Sequence, residues 1–208
     1  MKHWHNIIVI FTLSICCSAV SAKDGGARAR FIYGLDWGYS NIVSQWHHAN
    51  YISSDGFRVN QINTDFNYAP NGYCRGYAGI NFPDKWALAV YGGFNGISKG
   101  RTASSFSARL SFAPSGWRED GLKFFAEDGI ALTETFKDKI DRLWAAGGGY
   151  RLQLSEGVGL DLSVSVQVAY DHPLRVYDKY SGELLRNENI RKSEAVYTAL
   201  NIGLALSF

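Results

Sequence analysis

The feature that most constrains this chain is a period-two alternation of apolar with small or polar side chains. The last segment, "YTALNIGLALSF" (197–208), shows it, and "VGLDLSVSVQVAY" (158–170) repeats it without a break. Successive side chains of a β-strand point to opposite faces. The alternation therefore predicts strands that have one apolar and one polar face.

Eight segments carry the alternation and predict eight strands. The weakest is 122–132, where Asp128 shares a face with apolar residues. A further stretch, 57–68, is ambiguous. It either adds a strand or extends the first long loop, where it can form part of a hairpin above the membrane. The eight segments are 30–40, 73–82, 86–94, 103–113, 122–132, 142–154, 158–170 and 197–208.

The composition of the two faces distinguishes a membrane barrel from a soluble sandwich, which also alternates. The polar faces are rich in Gly, Ala and Ser, which suits a narrow interior. The apolar faces carry Trp and Tyr near strand ends, as membrane-interface girdles do. A sheet in hydrocarbon must close on itself, because an unpaired amide there costs several kcal/mol. We predict an all-β, eight-stranded antiparallel up-and-down transmembrane β-barrel over residues 23–208.

The joins between the predicted strands alternate in length. Tight or short turns join strands two to three, four to five and six to seven, and two of the other joins are long, 40–72 and 171–194. Outer-membrane barrels have short periplasmic turns and longer outer loops. We therefore expect 40–72 and 171–194 outside the cell.

The N-terminus resembles an export signal. Residues 1–22 combine a basic start, a short apolar run and small residues before Lys23, which predicts a cleaved signal peptide. Lipidation at Cys16 or Cys17 is the alternative. Lipoprotein processing requires a small residue before the modified cysteine, however, and Ile15 is large. Cys74 would be the one cysteine left after cleavage, so a disulfide within the chain is not expected.

The polar faces include charges that the alternation places in the lumen. Isolated charges in a barrel interior are very costly, so we expect these side chains to pair in a neutral network. An ion or proton path through the lumen is the less favoured interpretation. The predicted network consists of Asp36, Arg75, Arg109, Glu127, Arg151 and Asp161.

Few residues suggest chemistry. His47 and His48 are adjacent, which rarely suits one metal ion, and no Cys or carboxylate cluster completes a site. His172 precedes Ser181 and Glu183 in one predicted loop, but spacing in a loop does not establish a nucleophile–base contact. We therefore name no catalytic, cofactor-binding or metal-binding residues, and expect no cofactor.

The strand pattern and the terminal aromatic residue together resemble small eight-stranded outer-membrane barrels of gram-negative bacteria, the OmpA/OmpX-type architecture. The last strand also resembles the signal read by the barrel-assembly machinery. The resemblance implies export and insertion by that machinery, with outer-membrane lipids as neighbours. The residues of this assembly signal are Leu200, Ile202, Leu204, Leu206 and Phe208.

These features favour a structural or surface-interaction protein with a side-chain-filled lumen and an unidentified extracellular partner. A lipid A-modifying enzyme is the alternative, and a small-solute channel is a weaker one. A formal net charge of +2 offers no basic excess for nucleic acid.

Overall fold

A computed structural model describes residues 29–66, 68–82, 85–98, 101–133 and 140–208. The predicted signal peptide, 1–22, lies outside these residues. In the part of the chain that is described, no helix is long and apolar enough to cross a membrane.

Antiparallel strands make up the fold. Each strand pairs with its neighbour along the chain from β3 onward, and β1 pairs with both β3 and β9. The β1–β9 ladder closes the sheet into an eight-stranded barrel of β1 and β3 to β9, so the predicted barrel is confirmed. The strands are β1 Arg30–Ile52, β2 Arg58–Asp65, β3 Ala69–Phe82, β4 Trp86–Ser98, β5 Arg101–Phe112, β6 Gly121–Leu132, β7 Asp141–Ser155, β8 Val158–Asp171 and β9 Ile190–Ser207.

The expectation of a long loop over 40–72 is wrong. β1 continues to Ile52, turns at 53–57, and pairs with β2 from Gln45 to Ile52. β2 and β3 follow one another along the same side of β1, since β3 pairs with its lower part, Arg30 to Ile42. The ambiguous stretch 57–68 thus extends the barrel as half of a hairpin and does not become a ninth barrel strand.

A β-bulge explains why the alternation hid this extension. The β1–β9 register shifts between Ile42 and Ser44, so Val43 is an extra residue in β1. Because one extra residue reverses which side chains face inward, the even positions of β1 point to the lumen before the bulge and the odd positions point there after it. A single uninterrupted alternation cannot describe both halves of this strand.

The distribution of side chains is the reverse of that in a soluble protein. Charged residues are buried inside, whereas large apolar residues are exposed on the outer wall. An apolar wall of this extent needs hydrocarbon around it. The barrel is therefore a transmembrane one. Its outer wall includes Leu35, Trp37, Val90, Phe94, Phe106, Leu110, Trp144, Leu162, Val164, Val166, Leu200 and Ile202.

The two ends of the barrel differ. One end, called here the turn end, carries the short connections, including 113–120 and 156–157, together with the start of β1 and the end of β9. The opposite end, called here the head, consists of the outer part of β1, β2 and the segment 172–189 between β8 and β9. The expected second long loop, 171–194, is shorter than predicted, because β9 begins at Ile190.

Candidate functional site: a filled lumen and a folded head

Four charged side chains meet at the middle of the lumen. Arg75 donates to Asp36 Oδ2 at 2.7 Å and to Glu127 Oε1 at 2.5 Å. Arg109 Nη2 lies 3.1 Å from the same Asp36 oxygen and 2.7 Å from Glu127 Oε2. Two acids and two bases therefore alternate in a closed, neutral cluster. Such mutual pairing is what makes buried charges tolerable in a low-dielectric interior.

Aromatic rings pack against this central cluster. The Arg109 guanidinium lies 4.3 Å from the centre of the Tyr91 ring and 4.2 Å from that of Phe125. Tyr77 stacks on Tyr91 with ring centres 4.9 Å apart. The rings fill the cross-section beside the charges and add cation–π attraction to the arginines.

Glycine in β1 makes room for this packing. A Cβ added at Gly34 would lie 2.0 Å from the Leu206 backbone oxygen and 2.8 Å from the Tyr77 ring. Because that oxygen belongs to the β1–β9 ladder, it cannot move away without disturbing the closure of the barrel. Gly34 thus permits both the ladder and the inward tyrosine.

A second charged cluster closes the turn end. Asp161 accepts from Lys123 Nζ at 2.5 Å and from Arg151 Nε at 2.6 Å. The extra positive charge is offset by Trp117, whose ring centre is 4.3 Å from Lys123 Nζ and 4.2 Å from Arg151 Cζ. Arg151 also donates to the Trp117 carbonyl oxygen at 2.7 Å. Trp117 belongs to the 113–120 turn, which therefore folds under the barrel.

All six charges named from the sequence face the lumen, but they form two groups. Arg151 and Asp161 lie in the lower cluster, and the other four lie in the central one. The prediction omitted Lys123, although the alternation of its strand already placed it inward. It also missed Trp117, for which the sequence offers no signal, because a turn has no alternating pattern.

Amide side chains continue the filling above the central cluster. Asn95 Nδ2 and Asn201 Nδ2 both donate to Gln167 Oε1, at 3.2 Å and 3.3 Å. Ionic, aromatic and amide layers thus occupy successive levels of the lumen. An arrangement of this kind is a packed core, as expected for eight strands.

At the head end of the lumen, two carboxyl groups lie close together. Asp171 is fully buried and pairs with Arg101 Nη1 at 2.5 Å. Asp141 accepts from Thr133 Oγ1 at 2.6 Å and from the His172 backbone N–H at 3.1 Å. Burial and the nearby Asp141 carboxyl raise the pKa of Asp171 to about 6. A cavity of about 560 Å³ opens beside this group, lined partly by Arg101 and Thr133.

The structure separates the residues that suggested chemistry. His47 faces the lumen and His48 faces outward, where its Nε2 lies 2.9 Å from Asn60 Oδ1. Burial lowers the pKa of His47, and the neighbouring His48 lowers it further. Within the described ranges, no group of three or more His, Cys, Asp or Glu side chains is placed to hold a metal ion.

His172 and Ser181 also lie in different surroundings. The His172 ring is buried with Nδ1 3.2 Å from Asp141 Oδ1. Ser181 lies in the turn before Gly182, where its hydroxyl oxygen accepts from the Glu183 backbone N–H at 3.3 Å. The trio His172, Ser181 and Glu183 is therefore held by separate local contacts.

The segment 172–189 packs onto the hairpin and forms one folded unit with it. Asp178 Oδ2 accepts from Ser53 Oγ at 2.6 Å and from the Ser54 N–H at 3.1 Å. The Lys179 N–H donates to the Tyr51 hydroxyl at 2.8 Å. Beneath these bonds lies an apolar cluster of Ala49, Tyr51, Val59, Val176, Leu185 and Ile190. The head thus has its own small core.

The outside of the head exposes large apolar side chains. Tyr180 and Phe57 meet edge to face, with ring centres 5.4 Å apart, and both remain exposed. Ile62 of β2 is 57% exposed on the outward face of the hairpin. Exposed apolar groups on a folded unit that already has its own apolar core mark a candidate interaction surface. Others are Phe66, Tyr68, Tyr177 and Leu184.

Comparison with known proteins yields only distant likenesses. No protein-family profile and no curated protein sequence matches this chain. Neisserial surface protein A (NspA) is 15% identical, with 89% of this chain and 100% of that one covered and a TM-score of 0.42. The outer membrane protein OprG from Pseudomonas aeruginosa is 12% identical, with 88% and 98% covered and a TM-score of 0.45. Similarity at this distance assigns no activity.

Proposed function

We propose that this protein is an integral outer-membrane barrel that is closed to solutes and presents its head outside the cell to bind a partner. The observation that carries the proposal is the head itself, which has its own apolar core and still exposes aromatic side chains. A head that served only to join strands would need neither feature.

The filled lumen supports an interaction role over a channel role. Salt-bridged and aromatic layers occupy the interior at successive levels, from Trp117 at the turn end to Gln167 near the head. Moving them aside would break several buried ion pairs at once, which is costly. The surroundings of the barrel in this proposal are outer-membrane lipids, and the barrel-assembly machinery is its partner during insertion.

The topology test uses intact cells. We expect surface protease to cut within 172–189, where the chain has one isolated bridge and a single short 3-10 turn. The outer part of β1 should resist, because it is paired with β2 and β9 on its two sides. Resistance of 172–189 in intact cells, with cleavage only after the outer membrane is opened, would place the head in the periplasm and refute the proposal.

The role of the head is tested by removing most of its segment 172–189. A variant in which 174–187 is replaced by a short Gly-Ser linker should still insert and migrate as a heat-modifiable barrel, since the closing β1–β9 and β8–β9 ladders remain. Loss of the folded barrel in that variant would show that the head serves assembly and not binding.

A lipid A-modifying enzyme is the second candidate. It is favoured by the buried carboxyls of Asp141 and Asp171, which bond to Thr133 and Arg101 in the lining of the cavity of about 560 Å³. The His172 ring lies beside Asp141. A buried carboxyl with a raised pKa, such as that of Asp171, is suited to acid–base chemistry. Mass spectrometry of lipid A decides between the candidates. It compares cells that carry the wild type, cells that carry Asp141→Asn, and cells that lack the protein. Identical acylation in all three eliminates the enzyme.

A further inference from the structure

Among the strands that the structure describes, none lies beside one edge of β2. β2 pairs with β1 alone, whereas every strand of the barrel has two neighbours. The β3–β4 ladder begins only at Tyr73, below the level of β2. Within the described residues, the head therefore ends in a free strand edge eight residues long.

The hydrogen-bond alternation of the hairpin identifies the free groups. The Ser53 N–H donates to the Phe57 carbonyl at 2.9 Å, so 53 and 57 form a hydrogen-bonded pair. Bonded and non-bonded pairs alternate along an antiparallel ladder. Val59, Gln61, Asn63 and Asp65 therefore bond to β1. The N–H and C=O groups that point away from β1 are those of Arg58, Asn60, Ile62 and Thr64.

This edge lacks the usual protection against pairing. Natural edge strands are blunted by a central charge, a proline or a bulge. The six central residues of β2, "VNQINT", include no charge and no proline. The β1–β2 register runs without a shift from 45 to 52. The side chain of Ile62, which projects on the outward face beside the free groups, adds an exposed apolar contact.

We propose that the free edge of β2 binds an extended segment of another protein as an added antiparallel strand. This inference rests on the proposed display of the head. Main-chain bonds to an edge strand give such complexes affinity, and alternate side chains give them specificity. The charges at the two ends of β2 determine which residues the bound segment should carry. It carries an acidic residue opposite Arg58, a basic residue opposite Asp65, and uncharged β-branched residues between them.

A second copy of this chain does not fit the edge as well. Two copies in one membrane are related by an axis along the membrane normal, so their β2 strands run in the same direction. Parallel pairing of this kind sets Arg58 against Arg58 and Asp65 against Asp65, and like charges directly opposite are destabilising. An antiparallel segment of a different protein brings opposite charges together at both ends.

The test uses the full chain in detergent and the synthetic peptide Ac-Lys-Val-Thr-Val-Thr-Val-Thr-Glu-amide, labelled for fluorescence anisotropy. We expect saturable binding and slowed hydrogen exchange at the amides of Asn60, Ile62 and Thr64. A peptide with proline in place of the second of its three valines should bind more weakly, because the proline disrupts the strand that the peptide forms. Absence of binding up to about 1 mM, the weak limit of specific association, overturns the proposal.

Matched variants locate the binding site. Thr64→Pro removes one free-edge N–H without removing a bond to β1, and Ile62→Lys adds an edge charge. Each should weaken peptide binding roughly tenfold or more, as expected for a lost hydrogen bond or an edge block. The control Asn187→Lys adds the same charge at an exposed position of the head outside β2 and should bind normally.

The outcomes separate this proposal from the proposed function. Equal weakening by Asn187→Lys, or protection confined to amides outside β2, overturns edge binding. Neither result depends on where the protein is located, since the measurement is made in detergent. A head found on the periplasmic side in the protease experiment refutes surface display, whatever the peptide does.

Discussion

At the scale of single residues, the lumen is where one substitution has the largest effect. Asp161 is the sole acid bonded to Lys123 and Arg151 in the described lower cluster. Asp161→Asn would leave two buried cations without a counter-charge, and their remaining described partners, Trp117 and Ser207, are uncharged. Removing one partner of a buried ion pair typically costs about 3–5 kcal/mol.

We therefore expect Asp161→Asn to lower the free energy of unfolding by about 3–5 kcal/mol. Denaturant unfolding of the detergent-folded barrel is the measurement. Asp65→Asn, at an exposed acid on β2, is the matched control and should change stability little. Equal stability of the two variants would show that Asp161 is not essential to a charge-balanced lumen.

The raised pKa of Asp171, the last residue of β8, predicts a pH dependence. Its carboxyl has an ordinary value of 3.8 and about 6 in the folded chain, so the folded state binds this proton more tightly. The stabilisation is complete below pH 4 and is lost as the pH rises through 6. The groups around it are Asp141, Arg101, His172, His47 and Tyr197.

We expect the free energy of unfolding of the wild type to fall between about pH 4 and pH 6. Asp171→Asn should remove the contribution of this carboxyl to the fall, because the amide does not titrate in this range. Denaturant unfolding of both proteins across this range is the measurement. Parallel pH curves for wild type and variant would contradict a raised pKa at Asp171.

At the scale of elements, β1 shows why some boundaries could not be predicted. The pattern over 30–40 predicted a strand that ends near Ser40, but β1 continues for another twelve residues to Ile52. The bulge at Val43 exchanges the inward and outward faces, so a search for one constant alternation stops there. The stretch that forms β2 stayed ambiguous for a related reason: it is mostly polar on both faces, because it belongs to the head and covers only the small core there.

The last strand, β9, supports a prediction about assembly. The Phe208 N–H donates to the Tyr33 carbonyl at 2.8 Å, and the two rings stack 5.6 Å apart at the seam where β1 and β9 close the barrel. Phe208→Ala should lower the amount of folded protein in the outer membrane, since it removes the terminal aromatic of the predicted assembly signal.

Heat-modifiable migration of outer-membrane fractions is the measurement for Phe208→Ala. Leu154→Ala, at an exposed apolar residue near the end of β7, is the control. Unchanged amounts of folded Phe208→Ala protein would refute the role of the terminal aromatic.

At the scale of the whole molecule, the barrel is a wall around a packed interior. The closed ladder satisfies the strand amides in hydrocarbon, and the layered ionic, aromatic and amide groups replace water inside. The purified protein should therefore produce no stepwise conductance in planar lipid bilayers. Discrete, repeatable conductance steps from the wild type would overturn the filled lumen and restore the solute-channel hypothesis.

The outer wall retains one feature that the sequence already identified as irregular. Asp128 is exposed between Ala108 and Trp144 in the strand register, on the face that is otherwise apolar. The alternation correctly placed this carboxyl on the outside. Nothing in the structure explains why an acid occupies that position.

The sequence by itself determined the strands, the two faces of each strand and the closed barrel, because alternation is a local property and a spanning sheet has only one way to satisfy its amides. It also placed six lumen charges inward. Only the tertiary structure decided how those charges group, that Trp117 caps the lower cluster, and that the hairpin and 172–189 form one head with a free β2 edge. These features depend on contacts between residues far apart in the chain, and on a bulge that alternation cannot reveal.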